Sequence, residues 1–335
     1  MKKGLFNIAT AVVMLACLAF AGGQAWADEF SENNLVFLCF GQSNMEGNAR
    51  PESVDYQNIS PRFKKMYAAN SDGSKLGTWA TAAPPLVRSN TGLTPVDYFG
   101  RYLIDNLDSR YDIRVIVVAV AGCSLKLFDK DAYSDYLKSD AAADWLRNIA
   151  KDYGSNPYGR LIELAKEAQK TGVIRGILMH QGETDGYNDE WVERADKIYK
   201  DILADLGLNK ADVKFLVGEV VNADQNGACA GANDWIAKLA KKGGNYYYLI
   251  SSAGCPAGND RLHFTAEGYR MLGERYGQKM FTLLKRKGYV VNGVEPIESD
   301  STDPSDADAY NLSGQHYYDA FPGIKIINGK KYLIR

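Results

Sequence analysis

The sequence predicts an α/β protein, a three-layer α/β/α sandwich with a central parallel sheet, and two features of the chain indicate this class. Short apolar runs rich in β-branched residues alternate with longer segments of helical periodicity, as expected for parallel strands joined by crossover helices. Two of the helical segments begin at residues that cap helices well. With 335 residues and 46% apolar composition, the chain is long enough to bury the large core that such a sandwich requires.

Five strands are predicted along the chain. Each is a short, mostly apolar run bounded by polar or glycine-containing sequence, which is typical of strands buried on both faces. In chain order they are Leu35–Phe40, Arg114–Val120, Ile174–Met179, Lys214–Val220 and Tyr246–Ile250.

Five helices are predicted between and after these strands. Asn156 is a suitable cap for one of them, and Thr265 is a suitable cap for the last, which also carries Glu267 in its first turn. In chain order the helices are Pro95–Leu107, Pro157–Lys170, Asp189–Leu206, Asp234–Lys241 and Ala266–Lys285.

The stretch from Asn48 to Thr94 has no clear periodicity and contains prolines at positions 51, 61, 84 and 85. Long irregular connections in α/β proteins often line functional sites. We therefore predict that this stretch forms loops beside the site and sets its specificity.

Residues 1–27 have the pattern of an export signal. A basic start and an apolar stretch precede Ala25-Trp26-Ala27, which matches an A-x-A cleavage site, so the mature chain is expected to begin near Asp28. A membrane anchor is disfavoured because the apolar stretch is short for a span of about 20 residues. Lipidation of Cys17 is also disfavoured, because the preceding residues match a lipidation box imperfectly.

The character of the chain changes again near its C-terminus. We predict a main domain over 28–290, an acidic flexible linker over 291–309, and a short β-tail over 310–335. Asn328-Gly329 within the tail is the signature of a tight hairpin. The tail resembles short C-terminal β-tails of secreted bacterial proteins, which suggests a role in sorting or surface attachment; the alternative is a hairpin packed on the main domain.

Charge and cysteine content limit the classes of partner. The formal net charge is −2, from 39 basic and 41 acidic residues, which gives no electrostatic footprint for nucleic acid or an anionic membrane. Stable membrane insertion is not expected, because no segment after the signal is apolar enough to span a bilayer. Cys39 and Cys123 are expected to be buried, whereas Cys229 and Cys255 lie in Gly/Ala-rich loop sequence where they could pair.

Polar residues follow several predicted strands at the edge where ligands bind in open parallel sheets. Ser43 follows the first strand, Gly122 the second and Gln181 the third, while Asp260 and His263 lie after the fifth. The chain has only three histidines, so few serine-histidine-carboxylate combinations exist. We expect four loops to meet here, with His263 as the base.

The remaining titratable residues have simpler explanations. His180 has no aspartate at a short fixed spacing and is expected to be a buried polar residue or to shape the pocket. His316 lies in the tail, where an exposed role is expected. Glu183 and Asp185 are expected to hold their loop by hydrogen bonds rather than to bind a metal.

The motifs around these positions resemble the SGNH hydrolases, whose fold is flavodoxin-like. More narrowly they resemble carbohydrate esterases of the sialic-acid-specific acetylesterase and acetylxylan esterase group, from about Leu35 to about Lys285. The resemblance is carried by five elements in the family's order and spacing: Phe40-Gly41-Gln42-Ser43-Asn44-Met45, Gly92-Leu93-Thr94-Pro95, Val120-Ala121-Gly122, Gln181-Gly182-Glu183-Thr184-Asp185 and Asp260-Arg261-Leu262-His263-Phe264-Thr265.

The resemblance implies a catalytic role for three residues of the first and last elements. Ser43 would be the nucleophile, His263 the general base and then the general acid, and Asp260 the carboxylate that fixes the histidine tautomer. A serine hydroxyl needs such a base to attack an ester at neutral pH.

The resemblance also implies an oxyanion hole, the set of donors that stabilises the tetrahedral intermediate. Its donors would be the Ser43 backbone N–H, the Gln181 side-chain amide and the Gly92 backbone N–H. The glycine-poor sequence around Gly92 departs from some relatives, so Thr94 or Gly122 is an alternative source of the third donor.

The expected protein is a secreted or periplasmic carbohydrate O-acetylesterase, similar to acetylxylan esterases, that acts on an acetylated carbohydrate without a cofactor or metal. A sialate O-acetylesterase is the alternative enzyme, and a non-catalytic glycan-binding protein is the alternative of another class. The intact set of Ser43, His263 and Asp260 argues against the latter. Trp79, Tyr56 and Trp191 are considered as sugar-stacking residues, although aromatics in such positions more often cover the core.

Overall fold

The computed structural model describes residues 29–292 and four short segments closer to the C-terminus, 295–296, 309–310, 323–327 and 330–334. The predicted export signal, His316 and most of the predicted linker lie outside the described residues.

A seven-stranded sheet forms the centre of the protein. Six of its strands are parallel, and the edge strand β3 runs antiparallel to β2. The strands are β1 (Asn34–Gly41), β2 (Phe63–Met66), β3 (Trp79–Thr81), β4 (Asp112–Ala119), β5 (Val173–His180), β6 (Lys214–Gly218) and β7 (Tyr247–Ile250).

Helices cover both faces of this sheet, which confirms the predicted α/β/α sandwich. They are α1 (Ser43–Glu46), α2 (Pro95–Asn106), α3 (Tyr133–Lys138), α4 (Asp144–Lys151), α5 (Pro157–Gln169), α6 (Asp189–Asp205), α7 (Ala232–Lys242) and α8 (Ala266–Arg286).

Strand β1 shows how the sheet separates two cores. Its side chains alternate, as they must in a strand. Val36, Leu38 and Phe40 belong to the apolar cluster that includes α5, α6 and α7. Leu35, Phe37 and Cys39 belong to the cluster on the other face, under α2 and α8; all of these β1 side chains are fully buried. The apolar composition of the strand therefore follows from burial on both sides.

The order of strands places a ligand site at one edge of the sheet. The sheet runs β3-β2-β4-β1-β5-β6-β7, so the five strands predicted from the sequence appear in the spatial order second, first, third, fourth, fifth. Connections leave β1 and β5 in opposite directions, which creates a switch point between them. Gly41 at the end of β1 pairs with Ala119 of β4 and His180 of β5, so the loops after all three strands begin side by side.

The five predicted helices are confirmed as α2, α5, α6, α7 and α8, and so are the two predicted caps. Asn156 accepts a hydrogen bond from the Gly159 N–H, and Thr265 accepts one from the Gly268 N–H. These side chains satisfy N–H groups that have no partner within the first turn of a helix.

The prediction of irregular loops over Asn48–Thr94 is wrong in part. This stretch contains β2 and β3, which extend the sheet beyond β4, and two short 3-10 helices, Ser53–Tyr56 and Asn70–Lys75. Both strands are too short to show periodicity, and their place is fixed by pairing with distant residues. The helices α3 and α4 were likewise not predicted.

Cys229 and Cys255 do not pair: the four cysteines within the described part of the chain are all free. Cys39 and Cys123 are buried, as predicted. Among the described residues, no helix has the length and apolar character needed to cross a membrane.

Four short strands after residue 292 form a second sheet: β8 (Glu295–Pro296), β9 (Ala309–Tyr310), β10 (Gly323–Ile327) and β11 (Lys330–Ile334). Strand β8 and the first residue of β9 fall within the predicted linker, and the others within the predicted tail. Strands β10 and β11 pair antiparallel on either side of positions 328–329, where the sequence has Asn-Gly. The division into main domain, linker and tail remains a prediction.

Candidate active site

Ser43 is the first residue of α1, directly after the turn that ends β1. The turn needs glycine at position 41, because a Cβ there would lie 2.0 Å from the backbone oxygen of His180 on β5. The Gln42 N–H donates to the same oxygen, at 3.1 Å. The Ser43 side chain is therefore held at the carboxyl edge of the sheet, at the switch point.

His263 and Asp260 lie in the loop between β7 and α8. His263 contacts Ser43, and Asp260 contacts His263. The His263 Nε2 atom is 2.9 Å from Ser43 Oγ, and its Nδ1 atom is 2.7 Å from Asp260 Oδ2. The other carboxylate oxygen of Asp260 accepts the backbone N–H groups of Leu262 and His263, at 2.9 and 3.0 Å. The structure thus brings together the three residues that the sequence predicts as a unit.

The carboxylate of Asp260 is strongly favoured in its ionised form. Partial burial opposes ionisation, but hydrogen bonds from the His263 backbone, the His263 imidazole and the Leu262 backbone outweigh it and lower the pKa of Asp260 to about 2. Because an ionised carboxylate only accepts hydrogen bonds, Nδ1 of His263 carries a proton. In a neutral imidazole, Nε2 is then the acceptor that faces Ser43.

Asn44 connects the loops of the site. It was not identified from the sequence as a residue that positions others. Its Nδ2 group donates to Glu183 Oε1 and to the Leu262 carbonyl, at 2.5 and 3.0 Å, and its Oδ1 atom accepts the Tyr269 hydroxyl at 2.7 Å. The side chain is fully buried. One amide thereby joins the serine turn, the loop after β5, the His263 loop and α8.

His180 is fully buried and does not serve as a partner of Ser43. Its Nε2 atom lies 2.9 Å from the Glu219 carbonyl, which can only accept, so Nε2 is protonated. Burial lowers the pKa of His180, which favours the neutral ring. Its Nδ1 atom has no hydrogen-bond partner within the described residues and lies 3.7 Å from Glu183 Oε1.

Glu183 and Asp185 hold the loop after β5, as predicted. Glu183 accepts from Asn44, and Asp185 accepts from the Ser124 hydroxyl and the Leu125 N–H. The two contacts of Asp185 join this loop to the loop after β4.

The prediction that the Gln181 amide donates to an oxyanion does not fit the structure. Both hydrogens of its Nε2 group are used, by the Cys123 carbonyl at 3.1 Å and by Asp185 Oδ1 at 2.6 Å. Its Oε1 atom accepts the indole N–H of Trp191. Rotating the amide by half a turn would oppose donor to donor and acceptor to acceptor, so the network fixes its orientation. Gln181 is a buried bracket between the two loops.

Gly92 is also wrong as the third donor, and so is its alternative Thr94. The Gly92 N–H donates to the Gly47 carbonyl at 2.8 Å, and the Thr94 N–H donates to Asp97 at 3.0 Å, where it closes the cap of α2. The other alternative, Gly122, keeps a free N–H group. Within the described part of the chain, neither the Ser43 nor the Gly122 N–H has a hydrogen-bond partner.

Gly122 lies beside the serine turn. The residue two positions earlier, Val120, donates its N–H to the Gly41 carbonyl at 3.1 Å. The Gly122 carbonyl accepts the Thr184 hydroxyl at 3.2 Å, and the Thr184 N–H reaches Gln42 at 3.4 Å. The N–H groups of Ser43 and Gly122 are therefore the two predicted donors that remain available at this edge.

A buried ion pair supports α1. Glu46, in the last position of the helix, pairs with Arg88, and both side chains are less than a tenth exposed. Burial raises the pKa of Glu46, while the guanidinium and the Ala121 N–H oppose this shift. The pair joins the serine turn to the stretch before α2.

The aromatic residues considered from the sequence lie elsewhere. Trp191 is 2% exposed and holds Gln181, and Trp79 is half-buried on the edge strand β3. Trp145 was missed: it lies in α4, is 54% exposed and contacts Gly122. Its helix is only eight residues long and was not predicted. A tryptophan within a polar segment was the sequence signal that could have indicated a functional residue here.

A cleft of about 580 Å³ opens beside the site. Ser124, Thr184 and Asp185, from the loops after β4 and β5, line it together with residues from α3 and the segment after it. The arrangement offers a serine hydroxyl with a basic partner, free backbone donors and room for a bulky substituent. This combination suits nucleophilic attack on an acyl group.

A family model described as carbohydrate esterase, sialic acid-specific acetylesterase, matches residues 33–282. The match spans β1 to most of α8 and includes all the site residues described above.

Solved structures of similar fold share little sequence with this chain. A protein from Arabidopsis thaliana is 18% identical with a TM-score of 0.53, and the alignment covers 74% of this chain and 98% of that one. For NanS the identity is 13% and the TM-score 0.53, with 77% and 99% covered. For a carbohydrate acetylesterase from Xanthomonas citri the values are 15% and 0.51, with 86% and 66% covered. At these identities the likeness is one of fold.

Proposed function

The chain belongs to the carbohydrate esterase, sialic acid-specific acetylesterase family, and we propose that it acts there as a serine O-acetylesterase on acetylated polysaccharide or oligosaccharide. The observation that carries this proposal is the continuous contact from Asp260 through His263 to Ser43. A binding protein has no use for a hydroxyl connected to a base and a carboxylate in this way.

The first half of the reaction forms an acetyl-enzyme. Ser43 Oγ attacks the carbonyl carbon of the acetyl ester while His263 Nε2 takes the hydroxyl proton. Asp260 stabilises the imidazolium that results. We assign stabilisation of the negative charge on the carbonyl oxygen to the N–H groups of Ser43 and Gly122, which lie at the start of α1 and in the turn after β4 and have no hydrogen-bond partner within the described residues. The intermediate collapses when His263 returns its proton to the leaving sugar hydroxyl.

The second half removes the acetyl group from the enzyme. A water molecule takes the place of the sugar, and His263 accepts a proton from it as the oxygen attacks the acetyl carbon. Collapse of the second tetrahedral intermediate breaks the bond to Ser43 Oγ, which recovers its proton from His263. Acetate leaves, and no cofactor enters either half.

We place this activity outside the cytoplasm, in the periplasm or the medium. The support is the A-x-A pattern at Ala25-Trp26-Ala27 behind a basic and apolar start. Attachment to the cell surface would require the tail after residue 310.

A sialate O-acetylesterase is the second candidate, because the matching family is described by that specificity. The same residues would perform the same steps on a different sugar.

The two candidates are separated by acetate release from acetylated xylan and from O-acetylated sialic acid, with Ser43→Ala as the blank. Ser43-dependent release from xylan supports the polysaccharide activity, and release from the sialic acid alone supports the second candidate. Absence of Ser43-dependent release from both would overturn acetylesterase activity on these substrates.

A further inference from the structure

Trp145 is a large apolar side chain that the fold leaves in solvent. It is 54% exposed, while Leu146 and Ala150 on the same helix are 2% and 0% exposed and pack into the core. Helix α4 therefore has a buried face, and Trp145 is not part of it. A tryptophan that contributes little to the core while exposing its ring needs another explanation.

The indole lies against the proposed oxyanion glycine. A Cβ placed on Gly122 would come within 2.4 Å of the Cη2 atom of Trp145, so the ring edge touches the glycine backbone. Gly122 also has φ of +65°, which glycine adopts without strain. An acetyl carbonyl bound between Ser43 and Gly122 would therefore place its sugar within reach of the exposed ring.

The position of the ring is fixed by its helix. Arg147 donates to the backbone carbonyls of Leu137 and Ser139, both at 2.8 Å, and so ties α4 to α3. Ser139 and Ala141 line the cleft of about 580 Å³ that begins at Ser124 and Thr184. The segment between β4 and α5 thus supplies both an exposed ring beside the site and most of the residues that line the cleft.

The cleft lining offers both donors and acceptors of hydrogen bonds. Lys126 and Arg194 contribute positive charge, and Asp131, Asp135 and Asp185 contribute negative charge. A lining of mixed sign suits sugar hydroxyls better than it suits a highly charged polyanion.

We propose that Trp145 is the platform on which the acetylated pyranose ring lies, with the rest of the saccharide extending into the cleft between α3 and the loop after β5. The inference rests on the proposed esterase function and identifies the residue that selects saccharide esters. The apolar face of a pyranose and the face of an indole are both flat, so stacking buries area on both at small conformational cost. A simple alkyl acetate gains nothing from this contact.

The test compares two substrates, an acetylated xylo-oligosaccharide and ethyl acetate, in wild type and three variants. We expect Trp145→Ala to lower kcat/KM on the oligosaccharide about tenfold or more beyond any loss on ethyl acetate. Trp145→Phe should recover most of that loss because it keeps a flat ring. Phe30→Ala, which removes a similarly exposed aromatic before the amino end of β1, should leave both substrates at the wild-type rate.

Equal losses on the two substrates would overturn the proposal, because they would mean that Trp145 only supports the Gly122 turn. Unchanged kinetics would overturn it as well. Failure of the proposed function is a separate result, since wild type would then show no Ser43-dependent hydrolysis of either ester. Titration of Ser43→Ala with deacetylated xylo-oligosaccharide by calorimetry covers that case: binding lost in Ser43→Ala/Trp145→Ala supports the platform, and unchanged binding overturns it.

Discussion

At the scale of single residues, the carboxylate of Asp260 determines which nitrogen of His263 can act. Its Oδ1 atom is held by two backbone N–H groups, so its Oδ2 atom is left to face the imidazole. The lowered pKa keeps this carboxyl group ionised throughout the neutral and mildly acidic range. The ability of His263 Nε2 to accept the Ser43 proton therefore depends on Asp260, although Asp260 does not contact the substrate in the proposed reaction.

Asp260→Asn tests this dependence. The asparagine oxygen would keep the two backbone hydrogen bonds, and its NH₂ group would then face Nδ1, which favours the tautomer with the proton on Nε2. We expect kcat at pH 7 to fall roughly 10²–10⁴-fold. The measurement is steady-state hydrolysis of an acetyl ester, with Asp105→Asn on the exposed side of α2 as the matched control. Activity close to wild type in Asp260→Asn would remove Asp260 from the mechanism.

The buried bracket at Gln181 gives a prediction about stability. Gln181→Glu would place a carboxylate where the Cys123 carbonyl and the Asp185 carboxylate now accept two N–H groups, so three acceptors would face one another without a donor. We expect the free energy of unfolding at pH 7 to fall by about 2 kcal/mol or more. Urea unfolding measures it, and Gln278→Glu on the exposed face of α8 is the control. Equal stability of the two variants would contradict the assigned network.

Single residues also show where prediction from sequence ends. Ser43, Asp260 and His263 could be predicted because their chemistry needs particular residue types in recognisable motifs. The availability of an N–H group could not, because it depends on partners from other loops. The Gly47 carbonyl accepts the Gly92 N–H. The Cys123 carbonyl and the Asp185 carboxylate accept the two hydrogens of the Gln181 amide. Motif membership alone does not show whether a donor is free.

At the scale of elements, the long parallel strands and capped helices were predictable because several independent signals agree over each of them. Pro157 and Asn156 define the start of α5, and burial on both faces makes β1 uniformly apolar. The short elements were not predictable. Strand β3 has three residues and α3 has six, so tertiary contacts rather than periodicity determine them.

The start of α2 contains a group that makes stability depend on pH. Asp97 accepts the Thr94 N–H, but its Oδ1 atom is buried without a partner within the described part of the chain. Complete burial raises the pKa of Asp97 to about 7, and the hydrogen bond from Thr94 only partly opposes this. Between about pH 4 and 7 the folded protein therefore binds this proton more tightly than the unfolded chain, and stability from this group is lost as pH rises.

Asp97→Asn removes the titrating group, so its proton no longer contributes to the pH dependence of the free energy of unfolding. We expect the stability of Asp97→Asn relative to wild type to rise between pH 4 and 7, by up to about 4 kcal/mol, from a shift of roughly three pKa units. Urea unfolding of both proteins at pH 4, 5.5 and 7 measures the change. Asp234→Asn, in the exposed first turn of α7, provides the control. A difference that stays constant with pH would show that Asp97 is ionised when buried.

At the scale of the whole molecule, the strand order explains why residues far apart in sequence meet. Ser43 and His263 are 220 positions apart, yet both follow parallel strands whose carboxyl ends lie at one edge of the sheet. The sequence could predict this convergence from the alternation of strands and helices. It could not predict the segment between β4 and α5, whose exposed tryptophan depends on how α4 packs.

The predicted export signal, residues 1–27, is expected to be removed when the protein is exported. We predict that the exported protein begins near Asp28 and therefore lacks Cys17. N-terminal sequencing and intact mass of the exported protein test this directly. A retained N-terminus would contradict cleavage, and a lipid on Cys17 would place the protein on a membrane.

The proposed reaction depends on activation of Ser43 as a nucleophile by His263 and Asp260, and covalent labelling measures this activation. The mature chain is treated with a fluorophosphonate, and the modified residue is identified by peptide mass spectrometry in wild type and His263→Ala. We predict one stoichiometric adduct on Ser43 in wild type and a rate at least about 10²-fold slower in His263→Ala. An unlabelled Ser43, under conditions that label an ordinary serine esterase, would contradict the claim.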